Sequence, residues 1–384
     1  MALQKTDLPI PNPYEVVNTT IDRLPQTYLE ISISAFNHNI AYYKNKIGLH
    51  NKLAIVIKGN GYGHGLHQIA SLCEQNENID LICVAQLSEA LALQNVTKPI
   101  LVLGYSDIST ELAVGKNIHF MIDSVEYAQQ LNNIGSQHAH RFNIHVKIDT
   151  GLSRMGVDPA QAHQFICELQ QLNYLTINGI YSHFSASDSN PLFTTYQFEQ
   201  FNALITQLKT LNICPPHIHM GNSASTSTVN YPEHFNLFRI GLGAYGLGLD
   251  SAHLKPVITW KTHIAHIKTV PKGSYIGYTG SYQVARESRI ALLPVGYYDG
   301  YKFRFSNKTT VMINGSYAPI IGRIAMNMTI VDVTDIKAMT QDEVTLMGSD
   351  KKIHAHTLGA LGEIKNVREI ITGINPIIPR IIAP

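Results

Sequence analysis

From Leu53 to about Gly248 the sequence repeats one pattern: a short apolar run, then a stretch with helical spacing, then another apolar run. The apolar runs fall at Leu53–Lys58, Leu81–Gln86, Pro99–Gly104, Ile118–Asp123, Phe142–Asp149, Ile177–Phe184, His217–Asn222 and Phe235–Gly246. Between most of them lie amphipathic segments such as Ser88–Asn95, Ser124–Ile134, Pro159–Leu172 and Thr194–Leu211. Short continuous apolar runs read as strands buried on both faces, and parallel strands need helices to connect them. Eight such alternations predict an α/β chain built on a (β/α)8 TIM barrel. A doubly wound sheet is the competing layout, but eight consecutive units read as carrying no G-x-G-x-x-G fingerprint make it less expected.

After Pro256 the pattern changes. Runs rich in Val, Ile and Thr follow one another at Val257–Val270, Arg289–Val295, Thr309–Ile313, Ala318–Ile324, Thr329–Val333 and Glu343–Met347. Turn signals such as Pro271-Lys272-Gly273 and Asn314-Gly315 separate them, and helical spacing returns only around His354–Lys365. The expected organisation is an arm over residues 1–26, a barrel over 27–255 and a mainly antiparallel β domain over 256–384, which an N-terminal strand can join.

The balance of residues narrows the partners. Apolar residues make up 45% and charged residues 15%, enough apolar surface for a large core. The net charge is +1 and the basic residues form no runs, so no nucleic-acid or anionic-membrane footprint is expected. No stretch has the length of a transmembrane helix, and the leader with Pro9, Pro11 and Pro13 lacks the apolar region of a secretory signal. Four scattered cysteines fit free thiols in a reducing cytoplasm. The 18 histidines show no metal-ligand spacing and read as core or surface residues.

Lys58 closes the run Leu53-Ala54-Ile55-Val56-Ile57 and opens Gly59-Asn60-Gly61-Tyr62-Gly63-His64-Gly65. Desolvating an ammonium is costly, so packing gives little reason for an amine there. Burial instead lowers its pKa and leaves a nucleophile. The four glycines permit a tight turn and close backbone approach to something bound. A lysine snorkelling from a strand end is the plainer alternative. Barrel chemistry gathers at the C-terminal ends of strands. There the chain places Lys58 after the first strand, Arg154 beyond the fifth and His183 at the end of the sixth. Asn222 and Ser223 follow the seventh, and Arg239, Gly241 and Leu242 belong to the eighth. Ser223 and the backbone at Gly241 and Leu242 suit the phosphate site that barrels build from their last loops.

The segment Lys58–Gly65 resembles the pyridoxal-phosphate lysine motif of the alanine racemase family, K-A-N-A-Y-G-H-G. The similarity runs from about Thr27 to Arg380. It takes in Lys147–Gly156, Tyr181–Phe184, Asn222-Ser223-Ala224, Arg239–Leu247, Tyr278–Tyr282, Gly296–Gly300 and Gly322–Met326. It implies a pyridoxal 5'-phosphate enzyme, a cytoplasmic homodimeric isomerase that interconverts L- and D-alanine by two-base proton transfer and supplies D-alanine for peptidoglycan. Lys58 would hold the cofactor and act as base on one face of the substrate Cα. Tyr278 would act on the opposite face, because racemisation takes a proton from one side and returns one to the other. Arg154 would meet the substrate carboxylate and the phenol, steadied by a carbamylated Lys147. Arg239 would face the pyridine nitrogen, with His183 orienting it. Tyr62, Asn222, Ser223 and the N–H groups near Gly241 and Leu242 would hold the cofactor and its phosphate. The backbone N–H of Met326 would meet the substrate carboxylate. Tyr278 and Met326 would enter from the second subunit. No metal is implied.

Four departures stand out. Gly59 and Gly61 replace alanines, which should loosen the loop. Tyr28 stands where the family often has Trp, Asn327 where it often has Asp, and Pro376 where many members have a Tyr that narrows the site. The last leaves substrate size open, so a racemase for serine or a broader amino-acid range is an alternative. A non-catalytic pyridoxal-phosphate homeostasis protein would match the barrel alone, without Tyr278 or a β domain. A decarboxylase would need a carboxylate where Arg239 stands.

Overall fold

The computed structural model describes residues 25–384 apart from Asp107, so the expected N-terminal arm lies almost wholly outside the described residues. Ten strands lead through the first two thirds of the chain. They are β1 (Thr27–Ser32), β2 (Lys52–Val56), β3 (Leu81–Val84), β4 (Ile100–Val102), β5 (Ile118–Ile122), β6 (Phe142–Lys147), β7 (Leu175–Tyr181), β8 (His217–His219), β9 (Leu237–Ile240) and β10 (Ile258–His263). Nine follow: β11 (His266–Val270), β12 (Tyr275–Ile276), β13 (Tyr282–Gln283), β14 (Ser288–Leu293), β15 (Thr310–Ile313), β16 (Ser316–Pro319), β17 (Thr329–Asp332), β18 (Glu343–Met347) and β19 (Arg380–Ala383).

The predicted barrel forms from eight parallel strands in the order β8-β7-β6-β5-β4-β3-β2-β9. Its edges β8 and β9 meet through Arg239 N–H to Gly221 O at 3.0 Å, Asn236 N–H to Ile218 O at 3.2 Å and Ile218 N–H to the Asn236 side chain at 3.1 Å. The helices between the strands are capped as their sequences dictate. Ser32 accepts from Ala35 N–H at the helix Ile33–Ile47, and Asn190 caps Pro191–Thr210, which carries proline in its first turn.

The barrel interior has two unlike flanks. Ala54, Val56, Leu81, Cys83, Leu101 and Leu237 form an apolar cluster along β2, β3, β4 and β9. Facing them, β5 to β9 contribute buried His119, His145, Lys147, Tyr181, His219 and Arg239.

Thr27–Ser32 stands in the second domain's six-stranded sheet, ordered β16-β15-β18-β10-β1-β19. There β1 runs antiparallel to β10 and parallel to β19. The run Val257–Val270, read as one strand, divides between two sheets, because β11 pairs with β14 in the three-stranded sheet β11-β14-β17. The elements that the sequence reading did not name include the helix Val367–Thr372 and β19. Both are short and end at glycine or the chain terminus, so periodicity over a window could not find them. No helix among the described residues is long and apolar enough to cross a membrane.

Candidate active site

A cavity of about 660 Å³ opens at the C-terminal ends of the barrel strands. Lys58, Tyr62, Lys147, Arg154, His183, Asn222, Ser223, Arg239, Gly241 and Leu242 all line it. Ten of the residues singled out from sequence are therefore brought together. Tyr278 and Met326 do not line it and are 71% and 55% exposed.

Lys58 sits two residues past β2 and opens a tight turn. Gly59, Asn60, Gly61 and Tyr62 all have φ between 52° and 63°, so the turn is left-handed. Left-handed helical backbone crowds the β-carbon of an L-residue against a carbonyl, and only glycine escapes the cost. Gly59 and Gly61 thus relieve strain here, where the sequence comparison predicted loosening. The turn is gripped from both sides. Glu89, itself buried, accepts from Gly59 N–H at 2.7 Å and from Ala85 N–H at 2.8 Å. Arg380 donates to Gly63 O at 3.1 and 3.2 Å from two of its nitrogens. Burial, then the nearby Arg154 guanidinium, lowers the Lys58 pKa below that of an ordinary amine.

Lys147 ends β6 deep in the barrel, 4.7 Å from the centre of the Tyr181 ring. Burial, Arg239 and Arg154 hold its pKa well below the usual lysine range. Asp149, its nearest acidic neighbour in sequence, is turned to the backbone instead, accepting from Gly151 N–H at 2.9 Å and Ser153 N–H at 3.1 Å.

Arg239 is 4% exposed and no carboxylate touches it. Its Nη1 donates to His219 Nδ1 at 2.5 Å and to His219 O at 3.1 Å. Its Nη2 donates to Ser182 O at 2.8 Å and meets His183 Nδ1 at 3.4 Å. His219 is thus the nearer of its two imidazole partners, where sequence comparison named His183. Tyr181 packs under the guanidinium at 5.0 Å and stacks on His219 with ring centroids 4.7 Å apart.

The opposite end of the cavity is a cradle of hydroxyls and backbone. Ser223 Oγ accepts from Gly241 and Gly243 N–H, both at 3.1 Å. A β-carbon on Gly241 would lie 2.8 Å from the Tyr62 hydroxyl, so only glycine leaves this space open. Asn222 shapes the turn, accepting from Ser225 N–H at 2.9 Å and Ser187 Oγ at 3.2 Å. Gly241, Gly243 and Gly246 carry G-x-G-x-x-G spacing after the last barrel strand, so the reading that the eight units lack this fingerprint is wrong; here it belongs to a barrel's last loop and not to a doubly wound sheet.

Sequence reasoning also missed Tyr181, Arg368 and Thr372. The last two come from the helix Val367–Thr372 of the second domain and line the cavity beside Lys58. Pro376, whose position was expected to control the site's width, is exposed and does not line it. The wall on that side is made by Arg368 and Thr372 instead.

A (β/α)8 barrel with a buried lysine at its mouth, a cradle of hydroxyls and backbone opposite it and a β domain closing one wall defines a narrow class of protein. Residues 31–248 match the model of the alanine racemase N-terminal domain and residues 257–382 that of the C-terminal domain. The chain belongs to the alanine racemase family. It is 33% identical over 374 residues to alanine racemase 2 of Caldanaerobacter subterraneus subsp. tengcongensis, covering 94% of this chain and 95% of the relative. It is 36% identical over 361 residues to alanine racemase 1 of Clostridium acetobutylicum, covering 89% and 92%. Among solved structures, alanine racemase of Clostridium difficile 630 superposes with a TM-score of 0.85 at 30% identity, over 92% of this chain and 94% of that one. Alanine racemase of Bacillus anthracis with bound L-Ala-P gives 0.81 at 28% identity, over the same shares of the two chains.

Proposed function

We propose that the protein is a pyridoxal 5'-phosphate-dependent racemase that interconverts L- and D-alanine. The observation that carries this reading is Lys58: an amine whose pKa burial lowers, opening into one cavity with Arg154, Lys147, His183 and Arg239. Membership of the family and the curated relatives support the substrate.

The residues fit the cofactor. The space above Gly241, bounded by the Tyr62 and Ser223 hydroxyls, suits a phosphate, with backbone N–H groups of the Gly241–Leu242 turn at hand. Arg239, a donor with no acceptor capacity, suits the ring nitrogen in its unprotonated form. Asn222 and His183 complete the walls. Pyridoxal 5'-phosphate supplies the electron sink that acidifies an amino acid's Cα–H. Lys58 takes or returns the proton at Cα on one face. Tyr278 does the same on the other, and Arg154 and the Met326 N–H hold the carboxylate.

Tyr278 does not line the cavity that holds Lys58 in its own chain, which supports a homodimer with shared sites. The Gly277 that opens its turn packs against Gly322 and Arg323, three residues before Met326, whose carbonyl accepts from Tyr298 N–H at 2.9 Å. Tyr275, Tyr278, Tyr298, Met326 and Met328 are 69%, 71%, 57%, 55% and 48% exposed. So much exposed aromatic and methionine surface fits an interface. Lys147, its pKa held well below the usual lysine range and beside Arg154, is suited to take up CO₂ as a carbamate, whose anion can accept from the guanidinium. The place of action is the cytoplasm, where D-alanine feeds peptidoglycan.

The test is a substrate panel of alanine, serine, lysine and arginine with added pyridoxal 5'-phosphate, following optical activity and exchange of Cα-deuterium. Alanine should racemise fastest. Cofactor uptake with no exchange on any amino acid would favour a non-catalytic binding protein. Serine turning over as fast as alanine would favour the broader range that the missing tyrosine at Pro376 left open.

A further inference from the structure

A file of three histidines crosses the barrel interior beneath the cavity. His119 comes from β5, His145 from β6 and His219 from β8, and all are buried. His119 Nδ1 stands 3.1 Å from His145 Nε2, and His145 Nδ1 stands 2.8 Å from His219 Nε2. The last link is Arg239 Nη1 to His219 Nδ1 at 2.5 Å. The ring nitrogens face one another in sequence, and no group of three or more ligating side chains among the described residues is arranged to hold a metal.

The direction of every hydrogen bond in this file follows from one end. A guanidinium can only donate. His219 Nδ1 is therefore the acceptor, and neutral His219 carries its proton on Nε2. That proton points at His145 Nδ1, so His145 in turn carries its proton on Nε2, facing His119 Nδ1. We infer that His219, His145 and His119 form a one-way donor chain locked in the Nε2–H tautomer by Arg239, and that His145 and His119 are positioning residues that hold this guanidinium at the cavity floor. The inference rests on the reading that Arg239 faces the cofactor's ring nitrogen.

Three observations support it. Buried arginines ordinarily have a carboxylate partner, and Arg239 has only neutral acceptors. Three imidazole dipoles aligned with their lone pairs toward the cation supply that compensation cooperatively. The charged and titratable groups around the file are Lys52 and His217 at its lower end and Arg239, Lys147 and Tyr181 at its upper end. Burial and these neighbours keep His145 and His219 well below the ordinary imidazole range and lower His119 to about 4, so the rings are neutral. Finally, the fold makes room for the middle ring. The β6–β7 register shifts between Ile144 and His145, and a β-carbon on the opposing Gly179 would overlap His145 Nδ1.

The test uses the full chain with ¹⁵N-labelled histidine and pyridoxal 5'-phosphate. At neutral pH the ¹⁵N spectrum should show these three histidines as neutral Nε2–H tautomers, assigned by their single substitutions. An Nδ1–H tautomer or an imidazolium at His219 or His145 overturns the chain. Titrating the cofactor by absorbance gives the second readout. His145→Leu should weaken its binding roughly tenfold, the size of one lost hydrogen bond between neutral groups, and shift its visible band. His145→Gln, which can both accept and donate, should recover most of that loss. A folded His145→Leu protein with wild-type affinity and spectrum overturns the positioning role. If His145→Leu does not fold, the wild-type tautomers still decide. Failure of the wild-type protein to bind the cofactor would overturn the functional reading itself, and the tautomer result would be unaffected.

Discussion

Gly63 and Ile371 touch across the two domains, the lysine turn of the barrel lying directly against the last helix of the β domain. A β-carbon on Gly63 would overlap the Ile371 carbonyl oxygen, and Gly63 has φ +84°, where L-residues are strained. Gly63→Ala should therefore cost about 2–3 kcal/mol in unfolding by denaturant. It should also loosen pyridoxal 5'-phosphate binding, since Lys58 shares the turn. An alanine variant of wild-type stability would mean the contact is slack.

Gly59 separates backbone strain from crowding. Nothing lies within 4 Å of a β-carbon built there, yet its φ is +63°. Gly59→Ala should destabilise the protein by about 1–2 kcal/mol, the cost of one left-handed L-residue. Denaturant unfolding of the cofactor-free protein is the measurement. No loss would indicate that the turn rearranges.

His64 gives a pH signature. Its ring is fully buried, and its pKa falls from 6.5 to about 4, chiefly by desolvation. Between these values the unfolded chain binds a proton that the folded chain refuses, so stability falls as pH drops through that window. His183, His119, His145 and His219 are shifted in the same direction. His64→Gln should flatten the slope of unfolding free energy against pH by one proton's share. An unchanged slope would assign the acid sensitivity elsewhere.

Shared sites can be tested by mixing protomers. Lys58→Ala and Tyr278→Phe chains should each be inactive as homodimers. Re-equilibrated in equal amounts, half the dimers are mixed and each has one intact site of two, giving about a quarter of wild-type activity. Sites completed within one chain would give none.

Lys147 should take up one CO₂ per chain. Its neutral amine attacks CO₂, forming an N–C bond and releasing one proton, and the carbamate anion lies beside Arg154. Carbon-13 bicarbonate should yield a protein-bound carbamate signal in the wild-type protein and none in Lys147→Gln.

Much of the cavity was legible in the sequence because it violates packing logic. Lys58 ends an apolar run, and Arg239 sits inside one, so each demanded a reason beyond core filling. The barrel was legible because eight strands buried on both faces leave a repeated trace. His219 was not, because a histidine alternating along a strand reads equally well as core. Arg368 and Thr372 were not, because a six-residue helix carries too few turns to show its face. Tyr278 was legible only through resemblance. Within one chain its position is that of an exposed tyrosine.

The placement of β1 sets a constraint on how the protein is made. This strand lies between β10 and β19, partners that begin at Ile258 and Arg380. A ribosome working from the N-terminus exposes β1 early and supplies its neighbour β19 only after the whole barrel and the rest of the β domain. Until then one edge of β1 is an open template, at the stage when a nascent chain is most prone to wrong pairing. The barrel can close during synthesis, but the second domain cannot. Deleting β19 should leave one edge of β1 unpaired while the barrel strands keep all their partners.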